Sequence, residues 1–142
     1  MRSIQIAIES YYVDNSAYPA FAAGKDGINA DLVLCPAYDQ PTFMTRTPER
    51  PGLYTLTTPI QYMSAYPTDR FLLAGASYAY STCGSHDQSW ILYSPGPDGI
   101  YEIVPREDYD PTKPVPSISL INKTYDPTNG GMSAGDIYKY KN

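Results

Sequence analysis

Apolar and polar positions follow a helical repeat over residues 1–15. At 100° per residue, one continuous arc holds the large apolar and aromatic side chains, namely Ile4, Ala7, Ile8, Tyr11 and Tyr12. The repeat predicts a helix with one buried face. Asp14 and Asn15 disfavour its continuation, and the residue before Pro19 is pushed out of the α region. The helix is therefore predicted to end near residue 15.

Two apolar residues, Ile6 and Val13, break this pattern and lie on the opposite side of the predicted helix, seven positions apart. They form a narrow second stripe, for which one explanation is that single exposed apolar residues are common on protein surfaces. The other is a contact with a partner molecule. No capping pattern precedes the repeat, so we expect residues 1–15 to be the end of a longer helix.

The next segments predict little regular structure. Residues 19–52 are rich in Ala, Gly, Asp and Pro without a sustained period, which predicts a long irregular loop. Thr58 followed by Pro59 and Gln61 is a capping pattern, and it predicts a short helix over 58–66 that ends before Pro67.

Residues 71–104 contain the sequence patterns that are typical of β-strands. Short apolar and aromatic runs predict strands at 71–74, 78–83, 90–93 and 100–104. The sequence Pro95-Gly96-Pro97-Asp98-Gly99 is typical of a turn, so the last two strands are predicted to form an antiparallel hairpin at the centre of the sheet.

The end of the chain predicts an irregular loop over 105–135 and a last strand over 136–141, where Asp136-Ile137-Tyr138-Lys139-Tyr140 alternates. The whole chain, 1–142, has the length of a single domain. The predicted fold is α+β, with Ile4, Ile8 and Tyr11 of the helix packed on the apolar face of a small antiparallel sheet.

Composition narrows the possible functions. The chain has 10 basic and 15 acidic residues, and a net charge of −5 opposes nonspecific binding to nucleic acid or anionic lipid. No run of about 18 apolar residues occurs. Fifteen Tyr, 14 Pro and only 18% charged residues favour an exported, loop-rich protein.

In an oxidising compartment Cys35 and Cys83 would form one disulfide; the alternative is two free thiols.

Residues for covalent chemistry are sparse. The only histidine, His86, lies in a polar segment and no nucleophile elbow is present, which argues against a hydrolase. Cys83 and His86 have a spacing that suits zinc, but with Cys35 they supply three ligands where a structural site needs four. No phosphate-binding loop or dinucleotide fingerprint occurs. We expect no enzymatic activity and no cofactor.

The sole tryptophan, Trp90, allows two interpretations. With the tyrosines it could form a platform for sugars or other ligands, or it could sit on a strand and pack against the helix. The second is favoured by its neighbours Ile91 and Leu92, which indicate a buried strand.

Four segments resemble the globular part of type IV pilin-like proteins, and specifically the major, G-type branch of the type II secretion pseudopilins. They are the helix end at 2–19, the stretch 56–71 with Tyr66-Pro67-Thr68-Asp69, the turn Ser94-Pro95-Gly96-Pro97-Asp98-Gly99, and the closing loop and strand Tyr125-Asp126-Pro127-Thr128-Asn129-Gly130-Gly131 with Gly135-Asp136-Ile137. The resemblance spans most of the chain.

This resemblance implies a structural subunit of a secretion pseudopilus or related pilus-like filament. Its precursor would be membrane-anchored by an upstream apolar half-helix, then processed and methylated, and the protein would act in the periplasm or cell envelope. Its partners would be copies of itself, other pseudopilins and an inner-membrane assembly platform. Ile6 and Val13 would then form the subunit interface. The alternative is a minor pilin with an adhesive, glycan-binding or uptake role.

The resemblance also raises the question of calcium, which many members of the secretion branch bind in an acidic loop near the end of the chain. Calcium takes six to eight oxygen ligands. Here the candidates are Asp126, Asn129 and Asp136, without a dense run of carboxylates. The other explanation is that Asp126 and Asn129 hold turns through hydrogen bonds to the backbone, and it is the favoured one.

Overall fold

The computed structural model describes residues 1–23, 40–43, 56–57, 60–72, 76–83, 89–110, 116–131 and 133–141. Its first element, helix α1, spans Arg2–Asn15 and ends at Ser16, which adopts a left-handed conformation and donates its N–H to the carbonyl of Tyr12. The helix predicted over residues 1–15 is confirmed.

A three-stranded antiparallel sheet forms the centre of the fold. Its strands are β3 (Ala79–Cys83), β4 (Ser89–Ser94) and β5 (Ile137–Tyr140), in the order β3-β4-β5. β4 therefore has a partner on each edge, with Tyr80 opposite Leu92 on one side and Tyr138 opposite Tyr93 on the other. The α+β class, with a small antiparallel sheet and a helix at the N-terminus, is confirmed.

Both faces of β4 are buried, because alternate side chains enter two different apolar clusters. Trp90 and Leu92 face α1, where they pack with Ile4, Ala7 and Ile8. Ile91 and Tyr93 face the other way and pack with residues that lie after the sheet turn: Ile103, Tyr109 and Leu120. The predicted packing of the helical arc on the sheet is confirmed. The second cluster was not predicted from the sequence.

The predicted hairpin between 90–94 and 100–104 is wrong. The turn itself exists: Gly99 donates its N–H to the carbonyl of Gly96, and both glycines have positive φ. However, β5 occupies the edge of β4 that 100–104 would need, with Ser94 opposite Ile137. The chain instead continues to helix α2 (Pro105–Asp108).

Two loops predicted to be irregular contain regular elements. Within 19–52, strands β1 (Phe21–Ala23) and β2 (Pro41–Phe43) pair antiparallel. Within 105–135, α2 is followed by α3 (Ile118–Asn122) and a 3₁₀ helix (Pro127–Asn129). These elements are too short to show a sustained hydrophobic period, which explains why the sequence pattern missed them.

Two predicted elements are not formed where the structure describes them. Residues 60–66 of the predicted 58–66 helix form bends, because the amides of Tyr62 and Met63 both donate to the carbonyl of Leu56 instead of following a helical pattern. Phe71 and Leu72, the start of the predicted 71–74 strand, form a turn on Asp69, which accepts both of their amides.

Candidate interaction face on helix α1

Helix α1 has two faces with opposite properties. The inner face contributes Ile4, Ala7 and Ile8 to the first apolar cluster, and each of these side chains is at most 1% exposed. On the outer face, Ile6 is 61% exposed and Val13 is 78% exposed. The sequence pattern placed these two residues on the outer side, and the structure leaves both in solvent. Their role as a subunit interface stays a prediction.

The outer face forms a shallow groove along the helix. It is lined by side chains that recur at helical spacing, namely Arg2, Gln5, Ile6, Glu9, Ser10 and Val13. The Ser10 hydroxyl donates to the carbonyl of Ile6 at 3.0 Å, so this polar group is satisfied within the helix. A partner could therefore cover the centre of the groove without removing the Ser10 hydroxyl from its hydrogen bond.

A polar clamp fixes α1 to the sheet beside this groove. One carboxylate oxygen of Glu9 accepts the indole N–H of Trp90 at 2.9 Å, and the other accepts the Lys141 ammonium at 2.8 Å. Lys141 also lies over the rings of Tyr12 and Tyr18, 5.1 and 5.2 Å from their centroids. The clamp thus joins the middle of α1 to β4 and to the residue that follows β5.

The charges within the clamp support one another. The hydrogen bond that Lys141 donates to Glu9, followed by its hydrogen bond with Tyr18, raises the pKa of Lys141 above its ordinary range despite partial burial. Lys141 is therefore cationic at all physiological pH values. Its backbone N–H also donates to the carbonyl of Trp90, which holds the end of the chain against β4.

Replacing Lys141 tests the strength of the clamp. We expect Lys141→Met to lower the free energy of unfolding by about 1 kcal/mol, because it removes the ion pair and the ring contacts but keeps most of the aliphatic stem. The value is modest because both side chains of the pair are more than a third exposed, at 36% and 37%. Denaturant unfolding measures the change.

The control is Lys139→Met, because Lys139 lies two positions earlier on β5 and its side chain is exposed. This variant should unfold within about 0.5 kcal/mol of the wild type. Equal costs for the two substitutions would show that the Glu9 to Lys141 contact does not stabilise the fold.

Local sequence patterns do not predict this clamp. Glu9 and Trp90 are 81 positions apart, and Glu9 and Lys141 are 132 positions apart, so no short spacing relates them. The helical pattern places Glu9 outside the predicted buried arc, so it gave no signal for these contacts. Trp90 itself is fully buried against α1. Its predicted packing on the helix is confirmed, and it cannot act as an exposed ligand platform.

Comparison with protein family models, curated proteins and solved structures gives no match to this chain. The arguments on function therefore rest on the geometry of the described residues and on their chemistry. Among those residues, no helix combines the length and the apolar character needed to cross a bilayer.

The three calcium candidates have different surroundings. Asp136 is fully buried, and its carboxylate accepts the backbone N–H groups of Glu102 and Ile103. Asp126 is exposed and caps the 3₁₀ helix by accepting both the N–H and the hydroxyl of Thr128. Asn129 is exposed at the end of the same 3₁₀ helix.

Both carboxylates are thus directed at hydrogen-bond donors of the protein, which matches the turn-holding explanation for Asp126. Within the described part of the chain, no cluster of three His, Cys, Asp or Glu side chains has the arrangement of a metal site.

The cysteines and the histidine lie largely outside the part of the chain that the structure describes. Cys35 and His86 lie outside the described residues, and Cys83 is described only as the last backbone position of β3. The disulfide between Cys35 and Cys83 and the alternative of two free thiols are therefore still predictions, as is the expectation that His86 takes no part in catalysis.

Proposed function

We propose that this protein is a structural subunit of a pseudopilus or pilus-like filament of a type II secretion or related system, and that it polymerises through α1. The observation that carries the proposal is the two-sided helix: one face is buried on the sheet, and the other exposes Ile6 and Val13. The pilin-like character of the helix-on-sheet fold belongs to the same proposal.

The apolar stripe supports this function energetically. Apolar surface removed from water contributes roughly 25 cal/mol per Å², so Ile6 and Val13 favour association when a neighbour covers them. Because the inner face and the Glu9 clamp already hold α1 on the sheet, the stripe is presented on a fixed support. Association therefore requires little reordering of the helix.

The partners in this proposal are other copies of the chain and related subunits. They assemble in the cell envelope on an inner-membrane platform, from a membrane-anchored precursor. The subunit acts by stacking and by moving cargo, and it performs no covalent chemistry of its own. The sheet and the loops after it would form the outside of the filament.

The deciding experiment replaces both stripe residues by serine in the full-length protein expressed in its own host. We expect Ile6→Ser with Val13→Ser to reduce filament number by at least tenfold in electron micrographs. Because both side chains are largely exposed in the subunit, the free energy of unfolding of the isolated chain should change by less than about 1 kcal/mol.

Helix α3 offers a matched control. Ile118 and Ile121 are 78% and 52% exposed and lie on a different element, so replacing both by serine removes similar apolar surface elsewhere. This variant should assemble normally. Wild-type numbers of filaments from the Ile6 and Val13 variant would contradict the proposed function.

A further inference from the structure

The outer edge of β5 presents backbone groups that the sheet does not use. β5 is the last strand in the order β3-β4-β5 and pairs with β4 along one edge. Lys141, which follows β5, donates its N–H to the carbonyl of Trp90 on β4. Because hydrogen-bonded residues alternate in an antiparallel pair, Lys139 also directs its backbone groups to β4. Tyr138 and Tyr140 therefore direct theirs away from β4.

The first position of this outer edge is already paired. Asp136 has the same orientation as Tyr138, and its N–H donates to the carbonyl of Lys123 at 2.7 Å while its carbonyl accepts the N–H of Tyr125 at 3.0 Å. These bonds form an isolated parallel bridge, after which the chain enters the 3₁₀ helix and leaves the edge. Among the described residues, no backbone group pairs with the outward N–H and C=O groups of Tyr138 and Tyr140.

These free groups match an extended polypeptide. Tyr138 and Tyr140 each offer one donor and one acceptor, and the two sets are about 6.8 Å apart along the strand, at about 3.4 Å per residue. Another extended backbone presents donors and acceptors at the same spacing, which is the basis of strand addition at a sheet edge. The chemistry of the edge therefore selects a strand as its occupant.

The side chains beside the edge indicate which strand fits. On one face, the rings of Tyr138 and Tyr140 are partly buried on the second apolar cluster and stack with their centroids 6.1 Å apart. On the other face, Lys139 is exposed, and no carboxylate in the described part of the chain forms an ion pair with it. An occupant with apolar side chains on the first face and an acidic side chain on the second complements both.

A second copy of β5 fits this edge poorly. In antiparallel pairing, Tyr138 opposite the second copy's Tyr140 places Lys139 opposite Lys139, and Tyr140 opposite Tyr140 places Lys139 opposite Lys141. Like charges directly opposite each other are destabilising. The remaining register, Tyr138 opposite Tyr138, needs the backbone groups of Asp136, which are already bonded within the subunit.

We infer that the outer edge of β5 receives an extended segment of a different protein as a fourth strand. This strand runs antiparallel to β5, pairs with Tyr138 and Tyr140, and carries an acidic residue opposite Lys139. The antiparallel direction continues the order of the sheet, and antiparallel pairs are slightly more stable per residue than parallel ones. The inference adds a partner-binding edge to the molecule and does not depend on polymerisation through α1.

Three synthetic peptides test the pairing against the 142-residue chain. The parent peptide, Val-Thr-Val-Glu-Val-Thr with blocked ends, alternates apolar and polar residues and places a glutamate between two valines. In one derivative, the two valines that flank the glutamate carry N-methyl groups. In the other, the glutamate and the last threonine carry them. The derivatives have the same composition and differ only in which edge of the peptide loses its N–H groups.

Binding is measured by titration of the backbone amide signals in NMR spectra. The parent peptide should bind with a Kd of about 1 mM or below, shift the amide signals of Tyr138 and Tyr140 and slow their hydrogen exchange. Methylation of the valines should weaken binding at least about tenfold, because their N–H groups face β5. Methylation of the other two residues should leave the Kd within about threefold. Any other order of the three affinities, or no binding by the parent, overturns the inference.

Charge exchange tests the acidic position. Lys139→Glu should weaken binding of the parent peptide about three- to tenfold, because a like-charge pair replaces an attractive one. A peptide with lysine in place of glutamate should bind Lys139→Glu within about twofold of the original pair. Arg106→Glu, at an exposed position of α2, makes the same change in net charge and should leave binding within about twofold. Equal losses for the two variants, or no recovery with the lysine peptide, would overturn the inference.

Discussion

Replacing Gly135 by alanine should destabilise the protein by at least about 3 kcal/mol. Gly135 has φ +111°, a conformation that residues with a side chain rarely adopt, and a Cβ there would lie 2.7 Å from the Thr124 carbonyl carbon and from the Tyr125 nitrogen. Both neighbouring atoms belong to the backbone, so the clash cannot be relieved by a side-chain rotation. Equilibrium unfolding in urea measures the effect.

The close approach has a structural cause. Asp136, the residue after Gly135, donates its backbone N–H to the carbonyl of Lys123. The backbone carbonyl of Asp136 accepts the N–H of Tyr125. These two bonds draw the start of β5 against the segment that follows α3. An added methyl group would push the two backbones apart and lengthen both bonds.

Gly130→Ala is the matched control. Gly130 also has a positive φ, +83°, but nothing lies within 4 Å of the Cβ that alanine would add. With ψ −179°, Gly130 lies in a backbone region that is nearly specific to glycine, so its substitution carries a conformational cost of about 1–3 kcal/mol without the clash. Similar losses for the two variants would mean that the contact with Thr124 and Tyr125 does not limit this position.

The second large effect is expected at Asp136, where Asp136→Asn should lower the free energy of unfolding by on the order of 3 kcal/mol at pH 4. The Asp136 side chain accepts N–H groups from Ile103 at 2.8 Å and from Glu102 at 3.1 and 3.3 Å, in a fully buried position. At pH 4 the side chain is a neutral acid whose two oxygens can still accept, whereas asparagine offers one acceptor oxygen and its NH₂ group would face a backbone donor. An unsatisfied buried donor costs about 1–3 kcal/mol.

This cost should depend on pH. Burial raises the pKa of Asp136 to about 6, against the lowering effect of the Ile103 and Glu102 amides and with the help of the nearby Glu102 and Asp98 charges. A folded pKa above the unfolded value means that the folded state binds the proton more tightly. The stability from Asp136 is therefore fully present below about pH 4 and is lost as the pH rises through 6.

The difference in stability between the wild type and Asp136→Asn should accordingly shrink by on the order of 2 kcal/mol between pH 4 and pH 7. Asp126→Asn is the control, because the hydrogen bonds from Thr128 hold the pKa of Asp126 below its usual range. Its contribution is lost only as the pH falls below about 4, so its difference should stay nearly constant between pH 4 and pH 7. A flat difference for Asp136→Asn would contradict the raised pKa.

Local pattern decided the elements that the sequence predicted correctly. The apolar arc of α1 and the runs around Tyr80 and Trp90 each carry their own period over enough residues to specify helix or strand. The stop at Asp14 and Asn15 also depends on near neighbours only. The exposed stripe of Ile6 and Val13 follows from the same helical geometry, so the apolar part of the candidate site can be located from the order of residues alone.

The errors in the prediction have a different origin. The segment 100–104 has strand propensity and follows a turn. Nevertheless, β5, which begins more than 30 residues later in the chain, pairs with that edge of β4. A one-dimensional pattern cannot compare two such competitors, because strand pairing depends on tertiary contacts. In the observed pairing, Asp136 accepts the amides of Glu102 and Ile103.

Residues a few positions apart were thus enough to specify the two faces of α1, the strands β3 and β4 and the α+β class. Packing of the whole domain was needed to select the strand that completes the sheet, to bury β4 on both faces, and to bring Glu9 to Trp90 and Lys141. These contacts join distant parts of the chain, and their free energy depends on burial and geometry that arise only when the domain folds.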